Sequence, residues 1–405
     1  MPFGWIAGGV ISRVLETIVD PLFLIIIALV ALQYRRVAGI RETFFGVKTG
    51  GVWRDTLLAT GFGIVGGIVG GYLIVLVGLT LTGTDLIYLL PLAVLLMLIN
   101  PRFLCFAYAG GLLSLASLVF GYPPVNVPQV TALVAALHFV ESLLIFLSGH
   151  MGAVPAFIRL PGGQVVGGFT LQKFWPIPIV ALTVAGTMAP GTELVQMPDW
   201  WPLIRPEVPG EADNLVFTLV PLVAGLGYAD LATARTPVAK SRLAALYLAG
   251  YSLVLFALAV AAGHLPSLAW AAALFSPLGH ELTIYLGKQT ELTGRPLYTP
   301  RPEGVMVLDV LPRSPAWYAG VRSGDIIYEV DGVRPCDRST LQSLLASPGA
   351  KEIGFLRQGR EFAREVVVLP PDGRFGIISV PEGNEQVFLE LGAAGLLSRW
   401  KRKRR

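Results

Sequence analysis

Long apolar stretches separated by short polar loops fill residues 17–287, and from about residue 300 the pattern changes to short apolar runs punctuated by turn residues. A helix needs about 20 mainly apolar residues to cross a bilayer. The pattern predicts spans at 17–34, 56–80, 85–100, 103–121, 128–148, 174–191, 214–230 and 243–262. A further run, 265–286, is interrupted by Ser276-Pro277-Leu278-Gly279 and either spans or dips in and returns. The expected fold is an α-helical polytopic membrane bundle of about eight or nine spans, with a small α+β domain behind it. The expected division is a transmembrane domain at 1–287, a linker at 288–299, a soluble domain at 300–382, and a short apolar segment with a polybasic tail at 383–405.

Within the soluble part, Gly304-Val305-Met306-Val307-Leu308-Asp309-Val310 reads as a loop entering a strand. Ser314-Pro315-Ala316 supplies an N-cap, proline at the first helical position and a good helix former. Gly324-Asp325 turns into the strand 326–330, Asp331-Gly332 is a tight-turn signal, a second helix fits 338–347, and strands follow near 352–357 and 362–369. This series resembles a bacterial PDZ domain. The resemblance implies a peptide groove between the strand 305–310, including Val307 and Leu308, and a helix carrying Thr340, Leu341 and Leu344. In that reading the N–H groups of Gly304, Val305 and Met306 hold a peptide carboxylate, and the peptide adds as an extra strand.

Composition agrees with a membrane half: of 405 residues 54% are hydrophobic and only 14% charged, against roughly a quarter charged in soluble domains. No small-residue cleavage pattern precedes Tyr34-Arg35-Arg36, so the first apolar run reads as retained. Two cysteines, Cys105 and Cys336, fall in different parts of the chain and give no reason to expect a disulfide. Charge then sets sidedness. Loop 35–55 holds Arg35, Arg36, Arg41, Lys48 and Arg54, and loop 231–242 holds Arg235, Lys240 and Arg242, whereas loop 192–213 is mainly acidic. The positive-inside rule puts the basic loops, and with a spanning 265–286 the soluble domain, in the cytoplasm. Trp200-Trp201-Pro202 reads as an interfacial aromatic anchor.

Candidate chemistry is sparse. Gly63, Gly67, Gly70 and Gly71 make a smooth face on the helix 56–80, suited either to packing inside the bundle or to a homo-oligomer or partner contact. His138 and Glu141 stand three apart, on one helical face. They form either a polar site together with His280 and Glu281, the first clue to a transporter, or a hydrogen-bonded pair that locks two helices. An intramembrane metalloprotease needs two histidines one turn apart with a glutamate between them, but Ile284 stands where the second should follow His280-Glu281. Ser148-Gly149-His150 lacks the spacing of a serine site. No catalytic group, metal ligand set, cofactor site or nucleic-acid-binding surface is expected.

The order of parts carries a further resemblance. A first span with Asp20-Pro21 ends in Tyr34-Arg35-Arg36, a basic loop with Phe45-Gly46 follows, and then come a glycine-rich helix, more spans and one C-terminal PDZ domain. This is similar to the MinJ family of Gram-positive bacteria, membrane proteins that act as topological determinants of cell division. The resemblance implies a non-enzymatic scaffold at septum or poles that links DivIVA- and MinD-like partners. The alternatives are a PDZ-bearing regulator of a membrane protease or secretion system, or a degenerate intramembrane protease. The tail, Trp400, Lys401, Arg402, Lys403, Arg404 and Arg405, suits either attachment to anionic lipid or a solvated end.

Overall fold

The computed structural model describes residues 2–45, 51–80, 83–187, 197–206, 215–357, 360–371, 374–383, 385 and 388–390. The basic tail Trp400–Arg405 and most of the acidic loop lie outside the described residues.

The chain opens with α1 (Pro2–Ile18) and α2 (Pro21–Phe45), which are separate helices rather than one span. The break falls at Asp20-Pro21, where the Asp20 carboxylate accepts a hydrogen bond from Leu22 N. Then follow α3 (Val52–Val77), α4 (Gly83–Ile99), a short 3-10 turn at Pro101–Leu104, α5 (Phe106–Phe120) and α6 (Val127–Ser148). After three strands come α7 (Pro237–His264) and α8 (Leu268–Leu292). Among the described residues four helices are long and apolar enough to cross a membrane, at Pro21–Gly39, Val52–Val77, Val127–Ser148 and Pro237–His264; Ile87–Ile99 and Phe106–Phe120 are shorter apolar helices.

The largest correction concerns the stretches expected as spans 174–191 and 214–230. They are β-strands: β1 (Val154–Arg159), β2 (Val165–Thr187) and β3 (Leu215–Ala232) form antiparallel neighbours, with β2 between the others. Two prolines in Trp175-Pro176-Ile177-Pro178-Ile179-Val180 explain the outcome. Each would remove a helical hydrogen bond and clash with the preceding turn. In a strand the two sit on the same side of the ladder and take away only donors that β3 does not use.

That side of β2 faces α3. A Cβ on Gly63 would lie 2.0 Å from the Pro176 carbonyl oxygen, and one on Gly67 would lie 2.0 Å from that of Pro178; Gly71 meets Val180. Gly66 and Gly70 instead face Val140 of α6. The glycine face is thus filled from within the chain, by a strand on one side and a helix on the other, and is not free for a second copy. Its closeness allows Cα–H···O contacts to carbonyls that have no N–H partner there. Non-helical backbone among apolar helices persists only when protein covers it in this way.

The interrupted run 265–286 belongs to the continuous helix α8. Pro277 is accommodated because Gly111 of α5 lacks a Cβ, which would stand 2.4 Å from the proline ring. Trp201 donates from its indole N–H to the Val75 carbonyl at the end of α3, so it is docked on the protein, while Trp200 is exposed.

The C-terminal part folds as β4 (Val305–Val310), α9 (Pro315–Tyr318), β5 (Ile326–Val330), α10 (Arg338–Leu345), β6 (Gly349–Arg357), β7 (Arg360–Leu369) and β8 (Ile377–Ser379), in the sheet order β7-β6-β5-β4-β8. Its core gathers Val305, Val307, Ile327, Leu341, Leu345, Phe355 and Phe375. This domain is not isolated by a free linker. Residues from 288 continue α8 to Leu292, and Tyr298 is buried, packing edge-on against Phe169 and accepting a backbone hydrogen bond from Gly167. A last strand, β9 (Leu389–Glu390), pairs in parallel with β1.

Candidate peptide-binding site

The elements of the C-terminal domain are held by local capping chemistry. Ser314 caps α9 through its hydroxyl, which accepts from Trp317 N, and Asp337 caps α10 by accepting from Thr340 N at 2.7 Å. The Thr340 backbone N–H, with the hydroxyls of Thr340 and Ser339, holds the Asp337 carboxyl below its ordinary pKa. Asp331 and Gly332 both adopt positive φ, and Val330 and Val333 exchange backbone hydrogen bonds across them, a tight turn of the mirror-image type. The Asp331 carboxyl is likewise held low, by the Lys351 ammonium first and then by the Glu352 N–H.

The groove strand differs from the expectation. β4 is bonded on both sides: Val305 and Met306 pair with β5, and Val307, Asp309 and Val310 pair with β8. Val307 N donates to Asp325 O, and Met306 O accepts from Val380 N. Gly304 lies against β5, where a Cβ would meet Ile327 O at 2.2 Å. No peptide strand can therefore be added at Gly304–Leu308. Met306 and Leu308 instead belong to the core shared with Phe157, Phe169 and Tyr298 of the helical half.

The edge of the sheet is β8. Ahead of it, Gly376 has φ +91°, and a Cβ there would collide with Ser314. Phe375 O and Gly376 O accept from Ala316 N and Leu311 N, which fixes the loop that leads into the strand. From α10, Leu341 and Leu345 are buried in the core, while Leu344 and Ile377 of β8 are half-buried against it. At the far end Arg338 reaches across: its Nε donates to Ser379 Oγ at 2.7 Å and one Nη to Val380 O at 3.0 Å, with Glu385 as its ion partner. Phe375, Gly376, Ile377 and Arg338 were not among the sequence candidates, because strand order is not visible in local pattern.

Of the polar residues in the helical half, His138 and His280 come together, with ring centroids 5.2 Å apart. Glu141 stands beside His138, its Oε2 4.0 Å from Nε2. Glu281 is separate: it accepts from Arg102 and from the Tyr108 hydroxyl. Cys105, which no local motif marked, lies 2.9 Å from His138 Nε2.

Comparison with known proteins agrees with this architecture. Residues 306–354 match the PDZ domain family model. The chain is 26% identical over 211 residues to the cell division topological determinant MinJ of Bacillus subtilis, covering 51% of this chain and 49% of that protein. It is 36% identical over 74 residues to a protein named as a serine protease, HhoA, of Synechocystis, covering 18% of this chain and 19% of that one. The chain thus spans about half the length of MinJ in that match, and less of HhoA.

Proposed function

We propose, from the premise that this is a MinJ-like chain carrying a PDZ domain, that it is a non-enzymatic membrane adaptor in the placement of cell division. The single observation that carries the reading is an interaction module whose sheet ends, among the described residues, in an unpaired edge, packed through Met306 and Leu308 on the β1–β2 strands of a chain rich in apolar helices. In this reading the helices cross the cell membrane several times and the PDZ domain is cytoplasmic, in keeping with the basic loops. Partner peptides add along β8, with α10 as the other wall and the loop at Phe375-Gly376 toward the peptide C-terminus. The Arg338 bridge limits the groove to a short segment, in keeping with the three-residue strand β8. DivIVA- and MinD-like division proteins are the proposed partners, and the basic tail Trp400–Arg405 is a proposed contact for anionic lipid.

A protease reading has less behind it. The likeness to HhoA is confined to 74 residues, and Glu281, the residue beside His280 that would serve as base, is engaged by Arg102 and Tyr108. The test is the position of a fluorescently tagged copy in its own growing cells. The reading expects accumulation at septa and young poles; an even membrane signal would remove the division role and leave a membrane PDZ adaptor.

A further inference from the structure

Three helices bring a thiol and two imidazoles to one point in the helical half, with a carboxylate beside one of the imidazoles. Cys105 stands at the N-cap of α5, His138 and Glu141 lie in α6, and His280 lies in α8. Cys105 Sγ is 2.9 Å from His138 Nε2 and 3.6 Å from His280 Nε2, and all three ligand atoms lie within 4.8 Å of one another. With Zn–S about 2.3 Å and Zn–N about 2.0–2.1 Å, the sulfur and nitrogen ligands of a tetrahedral zinc stand about 3.6 Å apart. We propose that Cys105, His138 and His280 bind one divalent transition-metal ion of the zinc class, which clasps α5, α6 and α8 together, and that the neighbouring Glu141 carboxylate turns in as its fourth ligand.

The surroundings match what such a site needs. His138 Nδ1 donates to the Val134 carbonyl at 2.7 Å, which fixes the tautomer and leaves Nε2 with its lone pair toward Cys105 and His280. His280 Nδ1 has the Tyr108 hydroxyl 3.4 Å away as its outer partner. The Tyr251 ring closes the site edge-on against both imidazoles. Among the described residues Glu141 accepts no hydrogen bond, although it is only 14% exposed, and the basic group beside it is the neutral His138 imidazole, 4.0 Å away. A carboxylate so placed in an apolar bundle needs a counter-charge.

Charge closes the argument. One divalent ion with a thiolate and a carboxylate is neutral overall, the least costly state among apolar helices. Without the ion, the thiol and His138 Nε2 satisfy each other by a hydrogen bond; binding the metal replaces that proton, which leaves to solvent. Four protein ligands make a closed, structural site rather than a hydrolytic one.

The test uses the full chain purified in detergent with any affinity tag removed. Zinc is measured by mass spectrometry, and the zinc site is examined by X-ray absorption. The proposal expects about one zinc per chain, with one sulfur at about 2.3 Å and nitrogen or oxygen ligands at about 2.0 Å. After chelation, Co²⁺ should restore a thiolate-to-metal absorption band. Cys105→Ser should abolish that band and weaken zinc binding by more than the ~10–100-fold typical of losing an outer partner, while Cys336→Ser, at an exposed PDZ position, should change neither. Wild-type protein that holds well under one zinc per chain, or an absorption shell without sulfur, would overturn it. Both wild-type readings hold even if the variants fail to fold.

Discussion

The described residues form two sheets that handle an unpaired edge in opposite ways. In the helical half, the outer side of β2 is covered by β1 at one end and by the glycine face of α3 along Pro176 to Val180. In the PDZ domain, β8 ends the sheet, and among the described residues no strand pairs with its outer side. The difference follows from surroundings. Among apolar helices an uncovered row of backbone groups costs several kcal/mol per group, so about as many contacts as possible are closed. In water the same row is solvated, and it becomes a template on which a partner strand can pair.

The strongest way to break this comparison is to add one carbon to the covered edge. Gly63→Ala or Gly67→Ala places a methyl group against a backbone carbonyl that cannot swing aside. Each is expected to destabilise the protein by about 3 kcal/mol or more, at the upper end for overpacking. Gly61→Ala, on the same helix with nothing within 4 Å, should be neutral or stabilising by up to about 1 kcal/mol. Thermal unfolding in detergent reads both, and equal behaviour at the two positions would refute the strand-on-glycine packing.

The open edge is tested more gently. Leu344→Asp puts a charge on the α10 wall at a half-buried position, and should weaken binding of a C-terminal peptide by about tenfold or more, ~1.4 kcal/mol, beyond the modest drop in melting temperature that its lost contact with the core brings. Isothermal titration with the peptide separates the two effects. Ser314→Ala removes the cap of α9 and one contact to the loop before β8, at a cost of about 1 kcal/mol in stability.

The smallest expected effect is one of pH. Asp331 and Asp337 have carboxyl pKa values held below the ordinary 3.8 in the folded domain. Their contribution to stability is therefore complete above the unfolded value and is lost as pH falls below it, through the lower folded values. Denaturant melts between pH 6 and about pH 3 should show a decline that Asp337→Asn makes shallower.

The two halves also differed in how much could be read beforehand. The PDZ elements announce themselves through short-range chemistry: Ser314-Pro315-Ala316 starts α9, and Asp331-Gly332 makes its turn without help from distant residues. The hairpin of β2 and β3 does not, since a long, continuously apolar run has no period that separates strand from helix. Pro176 and Pro178 were the available signal, being costly in a helix and harmless on one side of a strand. The groove strand was misplaced for a different reason. β8 lies far along the chain from β4, and only the folded sheet order reveals that it takes the edge. Cys105 has no motif around it; its role depends on α6 and α8 arriving beside it.

The central claim is that β8, not β4, receives a peptide. Full-length protein in nanodiscs would be panned against a library of peptides displayed with free C-termini, and amide hydrogen exchange compared with and without an enriched peptide. The account predicts new protection at Ile377–Ser379 and along α10, with the amides of Val305–Val310 unchanged because they are already bonded. Protection that appears on Val305–Val310 instead, or a library from which no C-terminal sequence is enriched, would contradict it.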